Sequence, residues 1–297
     1  MEITKALVRR PSPRLAEGLV THIERSPIDM DLARRQWQDY VDALHSQGWE
    51  TIEVDPAPDC PDSVFIEDAV VVYGRTAVVT RPGADERKPE VEAAERAVAA
   101  LGYDVKRIEA PGTLDGGDVL KHGGRVWVGQ GGRTNEEGLR QLREHLVPEG
   151  AETIGVPLTR VLHLKSAVTA LPDGTVIGYE PLVDDPSVWD SFLAVPEESG
   201  AHVVLLGGDR LLMAADAPRS AALFRSRGYE VVEVDISEYE KLEGCVTCLS
   251  VRLRGAPGAR QRGSGGRTTR SRHAPSSQVS VVSPTAKPAP WASPRHR

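Results

Sequence analysis

The chain has 297 residues, 40% hydrophobic and 27% charged, enough for one large globular domain or two ordinary ones. From Gly255 onward there are eight Lys/Arg and no Asp/Glu, so a net charge of −7 leaves −15 on residues 1–254. That acidic body suits a cationic small substrate and makes nucleic acid an unlikely partner for it. No apolar run approaches the roughly 20 residues of a membrane-spanning helix, "MEITKALVRRPSP" has no apolar leader core, and three cysteines make no even disulfide framework, so the expected setting is reducing and cytoplasmic.

Taken in chain order, apolar residues at helical spacing predict a first helix over 31–47, with Trp37, Tyr40, Val41 and Leu44 on one face and Gly48 as its stop. A second is predicted over 89–101 (Val91, Ala94, Val98, Leu101) and a third over 135–146 (Leu139, Leu142, Leu146). A weaker one follows over 186–193, and a last over 218–227 with Gly228 after it. Each helix precedes a short β-branched strand: "ETIEV", "DVKRIE", "ETIGV", "HVVLL" and "EVVEV". Paired-strand segments come next, and turns such as "YGR", "HGG" and "PDG" split the first three into hairpins. The period is about fifty residues, and no single unit is large enough to close a core. Radial repetition of five units around an axis is therefore the expected fold. A doubly wound α/β sheet fits the hairpins poorly, and no G-x-G-x-x-G follows a strand. Residues 255–297, rich in Pro, Gly, Ser and Arg, read as a disordered basic tail outside a domain of residues 1–254.

Polar residues recur at matching places in the units. "PDSVFIED" carries Asp62, Glu67 and Asp68; "LDGGD" carries Asp115 and Asp118; "LHLKS" carries His163; "LLGGD" carries Asp209; "TCLS" carries Cys248. Each is ordinary alone: a core histidine, a turn, an inert thiol. Converging on one cavity, they describe chemistry. A thiolate is a nucleophile, an imidazolium protonates a leaving group and later activates water, and carboxylates orient the imidazole and hold a cation. A flat, charged guanidinium with an attackable central carbon fits that set.

The motifs "PDSVFIED", "TRPGADERK", "TLDGGDVL", "GGRTNEEG", "LHLKSAVT" and "GCVTCLSV", in this order and spacing, closely resemble the dimethylarginine dimethylaminohydrolases of the guanidino-group-modifying superfamily. The resemblance covers residues 4–253 and leaves the tail outside. It implies a five-bladed α/β propeller (pentein) of ββαβ units, and hydrolysis of Nω-methylated arginine to citrulline and methylamine or dimethylamine without a cofactor or metal. It also implies Cys248 as nucleophile, His163 as acid and base, and Asp115 as the carboxylate beside the histidine. Asp62, Glu67 and Asp68 match acids that grip the substrate, with Asp68 at the guanidinium. Arg87 and Arg133 match arginines that hold the substrate carboxylate as bidentate forks. Leu19 and Leu242 match lining positions.

The pair Cys245 and Cys248 reads as half a zinc site, a redox pair, or a working thiol beside a bystander. Zinc needs more ligands, and on a strand residues three apart face opposite sides. The expectation is a nucleophile, Cys248, with Cys245 as its neighbour. The partner is a small methylated arginine, not a membrane, and the protein a monomer or homodimer. Alternatives are an arginine deiminase or amidinotransferase of the same superfamily, a catalytically silent arginine-binding protein, and a nucleic-acid association through the tail.

Overall fold

Five three-stranded sheets follow one another along residues 4–253, the part of the chain described in this computed structural model. The first contains β1 (Lys5–Val8), α1 (Met30–Ser46) and β2 (Glu50–Glu53). The second contains β3 (Val70–Tyr73), β4 (Thr76–Val79), α2 (Val91–Ala100) and β5 (Asp104–Arg107). The third contains β6 (Val119–His122), β7 (Arg125–Gln130), α3 (Glu136–Leu146) and β8 (Glu152–Pro157). A one-turn α4 (Leu164–Ala167) leads into the fourth: β9 (Val168–Ala170), β10 (Val176–Gly178) and β11 (Phe192–Ala194). The fifth contains β12 (Val204–Gly207), β13 (Arg210–Ala214), α5 (Pro218–Ser226) and β14 (Glu230–Val234). After a one-turn α6 (Ser237–Glu240), β15 (Val251–Leu253) returns to the first sheet.

The repeat has a simple cause. In the second, third and fifth sheets a hairpin pairs its strands antiparallel, and the chain then crosses over a helix to add a parallel strand on the other side of the middle one. The helices obey their sequence. Asp29 caps α1 by accepting from Asp31 N and Leu32 N, and Trp37, Tyr40, Val41 and Leu44 are buried. Asn135 caps α3 by accepting from Gly138 N, and Leu139, Leu142 and Leu146 are buried. These leucines pack on Val126 and Val128 of β7 and on Val71 and Val78 of the preceding sheet. Each unit thus completes its core on its neighbour, giving the five-bladed α/β propeller expected from the repeat.

Two expectations are corrected. No α-helix forms over 186–193. Asp185 accepts from Ser187 N to set a single 3-10 turn, Pro186–Val188, and buried Trp189 then stacks on Phe192 at 6.1 Å, drawing the chain into β11. As a result, "HVVLL" does not complete the fourth unit; it opens the fifth hairpin as β12. The first sheet is closed from the far end of the chain, with β15 pairing antiparallel to β1 (Lys5↔Leu253, Leu7↔Val251). No helix among the described residues is long and apolar enough to cross a membrane. The tail expected to be disordered, 255–297, lies outside the described residues.

Candidate active site

The short connections that lead into the blades supply the site. The 3-10 turn Ile66–Ala69 precedes β3, Gly116–Asp118 precedes β6, His163 and α4 precede β9, and the Cys245–Cys248 turn precedes β15. At the matching place before β12 stands His202, whose Nε2 lies 2.8 Å from Ser166 O. Asp209, which the sequence placed in this set, is instead exposed in the β12–β13 turn.

His163 is buried between two carboxylates. Its Nε2 lies 2.9 Å from Asp115 Oδ2, and its Nδ1 lies 4.0 Å from Asp68 Oδ1. Asp115 Oδ1 accepts from Gly83 N at 2.8 Å, and Asp68 Oδ1 accepts from Gly117 N at 2.7 Å. Gly117 has to be glycine, since a Cβ there would sit 2.6 Å from His163 Nδ1 and 2.8 Å from Asp68 Oδ1. Burial opposes charge on the imidazole, but Asp68, Asp115 and Asp118 outweigh it and raise the His163 pKa from 6.5 to about 9. Burial likewise opposes charge on Asp68, yet His163 and Arg87 hold its carboxyl at about 2. Asp68, Asp115 and His163 bring metal-ligating atoms within 4.8 Å of one another, but Gly117, Gly83 and Arg87 already engage the carboxylates, which suits an imidazolium better than a metal ion.

Cys248 is not on a strand. Gly244 to Ser250 is turn and loop, and Cys248 N donates to Cys245 O at 3.0 Å. An i to i+3 turn folds the two side chains together, so the expectation that they face apart fails: the sulfurs share a hydrogen bond at 3.4 Å. That bond pushes Cys248 up, assisted by burial, and draws Cys245 down to about 5, so the two titrate as a pair.

Around Cys248 and His163 lies a narrow cleft of about 20 Å³, lined also by Leu19, Asp62, Asp68, Arg87, Arg133 and Leu242. Asp62 accepts from Leu19 N at 3.1 Å, and burial raises its pKa. Arg133 Nη1 is buried with no hydrogen-bond partner, 3.8 Å from Asp115 Oδ2, so it presents an open donor. Arg87 is different. Its guanidinium is consumed by Asp68 Oδ2 at 2.6 Å and by Glu90. Over the cleft, residues 18–22 are latched by Glu243, which accepts from Thr21 N at 2.8 Å, Thr21 Oγ1 at 3.0 Å and His22 N at 2.6 Å. Glu243 itself sits at φ +59, a conformation uncommon for a residue with a Cβ.

Besides Asp209, Glu67 also faces elsewhere. It lines a second cavity of about 240 Å³, where its Oε1 meets Lys165 Nζ at 2.5 Å and also Arg252. Asp115 stands behind His163 instead of on the cleft wall. The structure adds supporting residues that no motif signalled as such. Thr134 Oγ1 donates to Asp118 Oδ2 at 2.5 Å while accepting from Asp115 N, and Asp118 Oδ1 accepts from Leu164 N beside the histidine. Glu90 holds Arg87. Asp118 and Thr134 lie within "GGD" and "GGRTN", and Asp118 was already a candidate from sequence; Glu90 had no signal beyond its place two residues after "DERK".

No protein-family profile matches the chain. It is 65% identical over 254 residues to the N(G),N(G)-dimethylarginine dimethylaminohydrolase of Streptomyces coelicolor, covering 86% of this chain and 98% of that one. It is 36% identical to the protein of the same name from Pseudomonas aeruginosa, covering 83% and 98%. A solved structure of the Pseudomonas aeruginosa enzyme, a Cys-to-Ser mutant complexed with citrulline, superposes with a TM-score of 0.79 at 34% identity, over 85% of this chain and 100% of that one. The N-terminal domain of a cyanobacterial arginine dihydrolase shares the fold at a TM-score of 0.77 and 21% identity, over 86% and 100%.

Proposed function

The chain belongs to the dimethylarginine dimethylaminohydrolase family, and from that premise we propose how its cleft converts Nω,Nω-dimethyl-L-arginine, or the monomethyl form, to L-citrulline and an amine. The observation that carries the reading is the buried His163, held charged by Asp68 and Asp115 within the cleft that Cys248 lines.

Arg133 Nη1 takes the substrate carboxylate, as its unpartnered donor supports. Asp62 and Asp68 give the cleft a negative wall for the cation, and Leu19 and Leu242 close over the aliphatic stem. Arg87, fully bonded to Asp68 and Glu90, positions Asp68, and Glu67 supports the turn from behind. The two buried sulfurs are hydrogen-bonded at 3.4 Å, so a proton can pass between them. A guanidinium beside Cys248 favours the thiolate there, and the proton crosses to Cys245. Cys248 Sγ then bonds to the guanidinium carbon. His163 donates its proton to the departing nitrogen, and the C–N bond breaks to release dimethylamine. A positively charged thiouronium remains on Cys248. Neutral His163 takes a proton from water as the oxygen attacks, the C–S bond breaks, and citrulline, the thiol and the imidazolium are restored. Asp115 fixes the imidazole throughout. We place this activity in the cytoplasm, where three free cysteines stay reduced.

Citrulline release from asymmetric dimethylarginine, beside arginine, with wild type and Cys248→Ser, tests the reading. Release from dimethylarginine alone, abolished in the variant, is the expected result. Release mainly from arginine would make the protein a deiminase with the same machinery. Binding without release from either would reduce the cleft to a receptor site.

A further inference from the structure

The Cys245–Cys248 turn separates two spaces. Cys248 lines the narrow substrate cleft. Cys245 lines a different cavity of about 290 Å³, with His22, Arg160, Ser166, His202 and Glu240. The two sulfurs meet between them at 3.4 Å. We propose that Cys245 is a redox modification site: a hydroperoxide entering the larger cavity oxidises Cys245, and Cys248 resolves it as a disulfide that seals the nucleophile.

The geometry meets the needs of each step. A hydroperoxide has only two heavy atoms at its reacting end, and the cavity beside Cys245 is far roomier than the cleft. The Cys248 N–H to Cys245 O bond of 3.0 Å closes a turn whose Cα atoms lie within about 7 Å, matching the 4.4–6.8 Å usual across a disulfide. Bringing the sulfurs from 3.4 Å to about 2.05 Å needs rotation of the two side chains within one turn. Cys245 is also the more acidic thiol: the Cys248 hydrogen bond lowers it against the opposing effect of burial, and His202 and Thr247 add to that. Electrons and atoms balance. The Cys245 thiolate attacks one peroxide oxygen, an S–O bond forms, the O–O bond breaks, and hydroxide (from hydrogen peroxide) leaves. Cys248 then attacks the sulfenic sulfur, the S–S bond forms, the S–O bond breaks, and the departing hydroxide takes up the Cys248 proton as water. Two thiols are oxidised by two electrons in total, and a dithiol reverses the step.

The consequence for turnover rests on Cys248 being the nucleophile, so the test reads mass as well as activity. The full-length chain is treated with limiting hydrogen peroxide, free thiols are blocked, and intact mass and peptides are read with Cys60 as internal reference. The expected result is loss of the mass of two hydrogens, a linked Cys245–Cys248 peptide, loss of nearly all turnover, and recovery with dithiothreitol. In Cys248→Ala the Cys245 sulfenic acid should be trapped by dimedone. In Cys245→Ala, Cys248 should react more slowly and proceed to forms that dithiothreitol does not reverse. Sulfinic acid accumulating on wild-type Cys248 without a linked peptide would overturn the proposal. Faster dimedone labelling of Cys248 in Cys245→Ala than of Cys245 in Cys248→Ala would overturn the route through the larger cavity. A linked peptide with turnover retained would uphold the site and overturn the assignment of Cys248 as nucleophile.

Discussion

Glu67 and Asp68 are neighbours in one 3-10 turn, both buried and both paired with cations, yet they serve opposite sides of the propeller. Asp68 faces the cleft, where Arg87 and Gly117 fix it beside His163. Glu67 faces the other cavity, where Lys165 and Arg252 share its Oε1, and its Oε2 has no hydrogen-bond partner. Arg252 in turn donates to Thr247 O at 2.6 Å, beside Cys248. One carboxylate sets the charge of a reacting group; the other ties the turn, the α4 segment and the last strand together. A buried ion pair is therefore no sign of catalysis by itself. What distinguishes the two is whether a titratable group with open space beside it feels the charge.

The largest expected effect lies on the cleft side. His163→Ala removes the acid and base together and should lower kcat by about 10²–10⁴-fold, read as citrulline release; it also leaves Asp68 and Asp115 without their buried counter-charge and should lower the melting temperature. Next comes the other side. Glu67→Gln leaves Lys165 and Arg252 without their counter-charge, and breaking a buried pair costs about 3–5 kcal/mol. Urea unfolding should show that loss, while kcat at low temperature falls far less than in Asp68→Asn. An Asp68→Asn variant as active as Glu67→Gln would erase the distinction.

Acidity sharpens it further. The folded His163 pKa is raised from 6.5 to about 9, so its charged partnership stabilises the protein fully below about pH 6.5. That contribution is lost as pH rises through about 9, and the supply of acid for the leaving amine falls with it. Asp68 behaves oppositely: its pKa is depressed from 3.8 to about 2, and its contribution disappears as pH falls through that value. Turnover should decline above about pH 9, and in Asp68→Asn that limb should move to lower pH. A limb that does not move would mean His163 owes its charge to Asp115 and Asp118 without Asp68. The smallest effect belongs to the latch. Glu243→Ala removes the acceptor for Thr21 and His22 and should raise KM a few-fold, in line with about 1 kcal/mol for a hydrogen bond at a partly exposed site, leaving the melting temperature nearly unchanged.

Much of this was legible in the sequence because the signals were periodic or local. Val126 and Val128 on a hairpin and Leu139, Leu142 and Leu146 on a capped helix announce one blade, and the spacing repeats. The unit without a crossover helix was not legible, because Pro186 and the apolar residues after it satisfy a helical pattern that one 3-10 turn and the Trp189–Phe192 stack replace. The Cys245–Cys248 contact was missed for a related reason: Cys248 alternating with Val246 and Ser250 imitates a strand, whereas a single turn hydrogen bond rotates residues three apart onto one side. The opposite facing of Glu67 and Asp68 depends on partners about 100 and 185 residues away from Glu67, Lys165 and Arg252, which no local pattern encodes.

The pairing of β15 with β1 also gives the propeller a property that chain order hides. Because the first and last described strands are hydrogen-bonded neighbours, no blade is structurally first. A circular permutant that joins those ends through a linker and reopens the chain at the glycine turn of Gly123 and Gly124, where both residues adopt positive φ and a Cβ would meet nothing within 4 Å, should keep every sheet and every cleft residue in place. The reaction is thus written in a ring of positions, and the place where the chain begins is incidental to it.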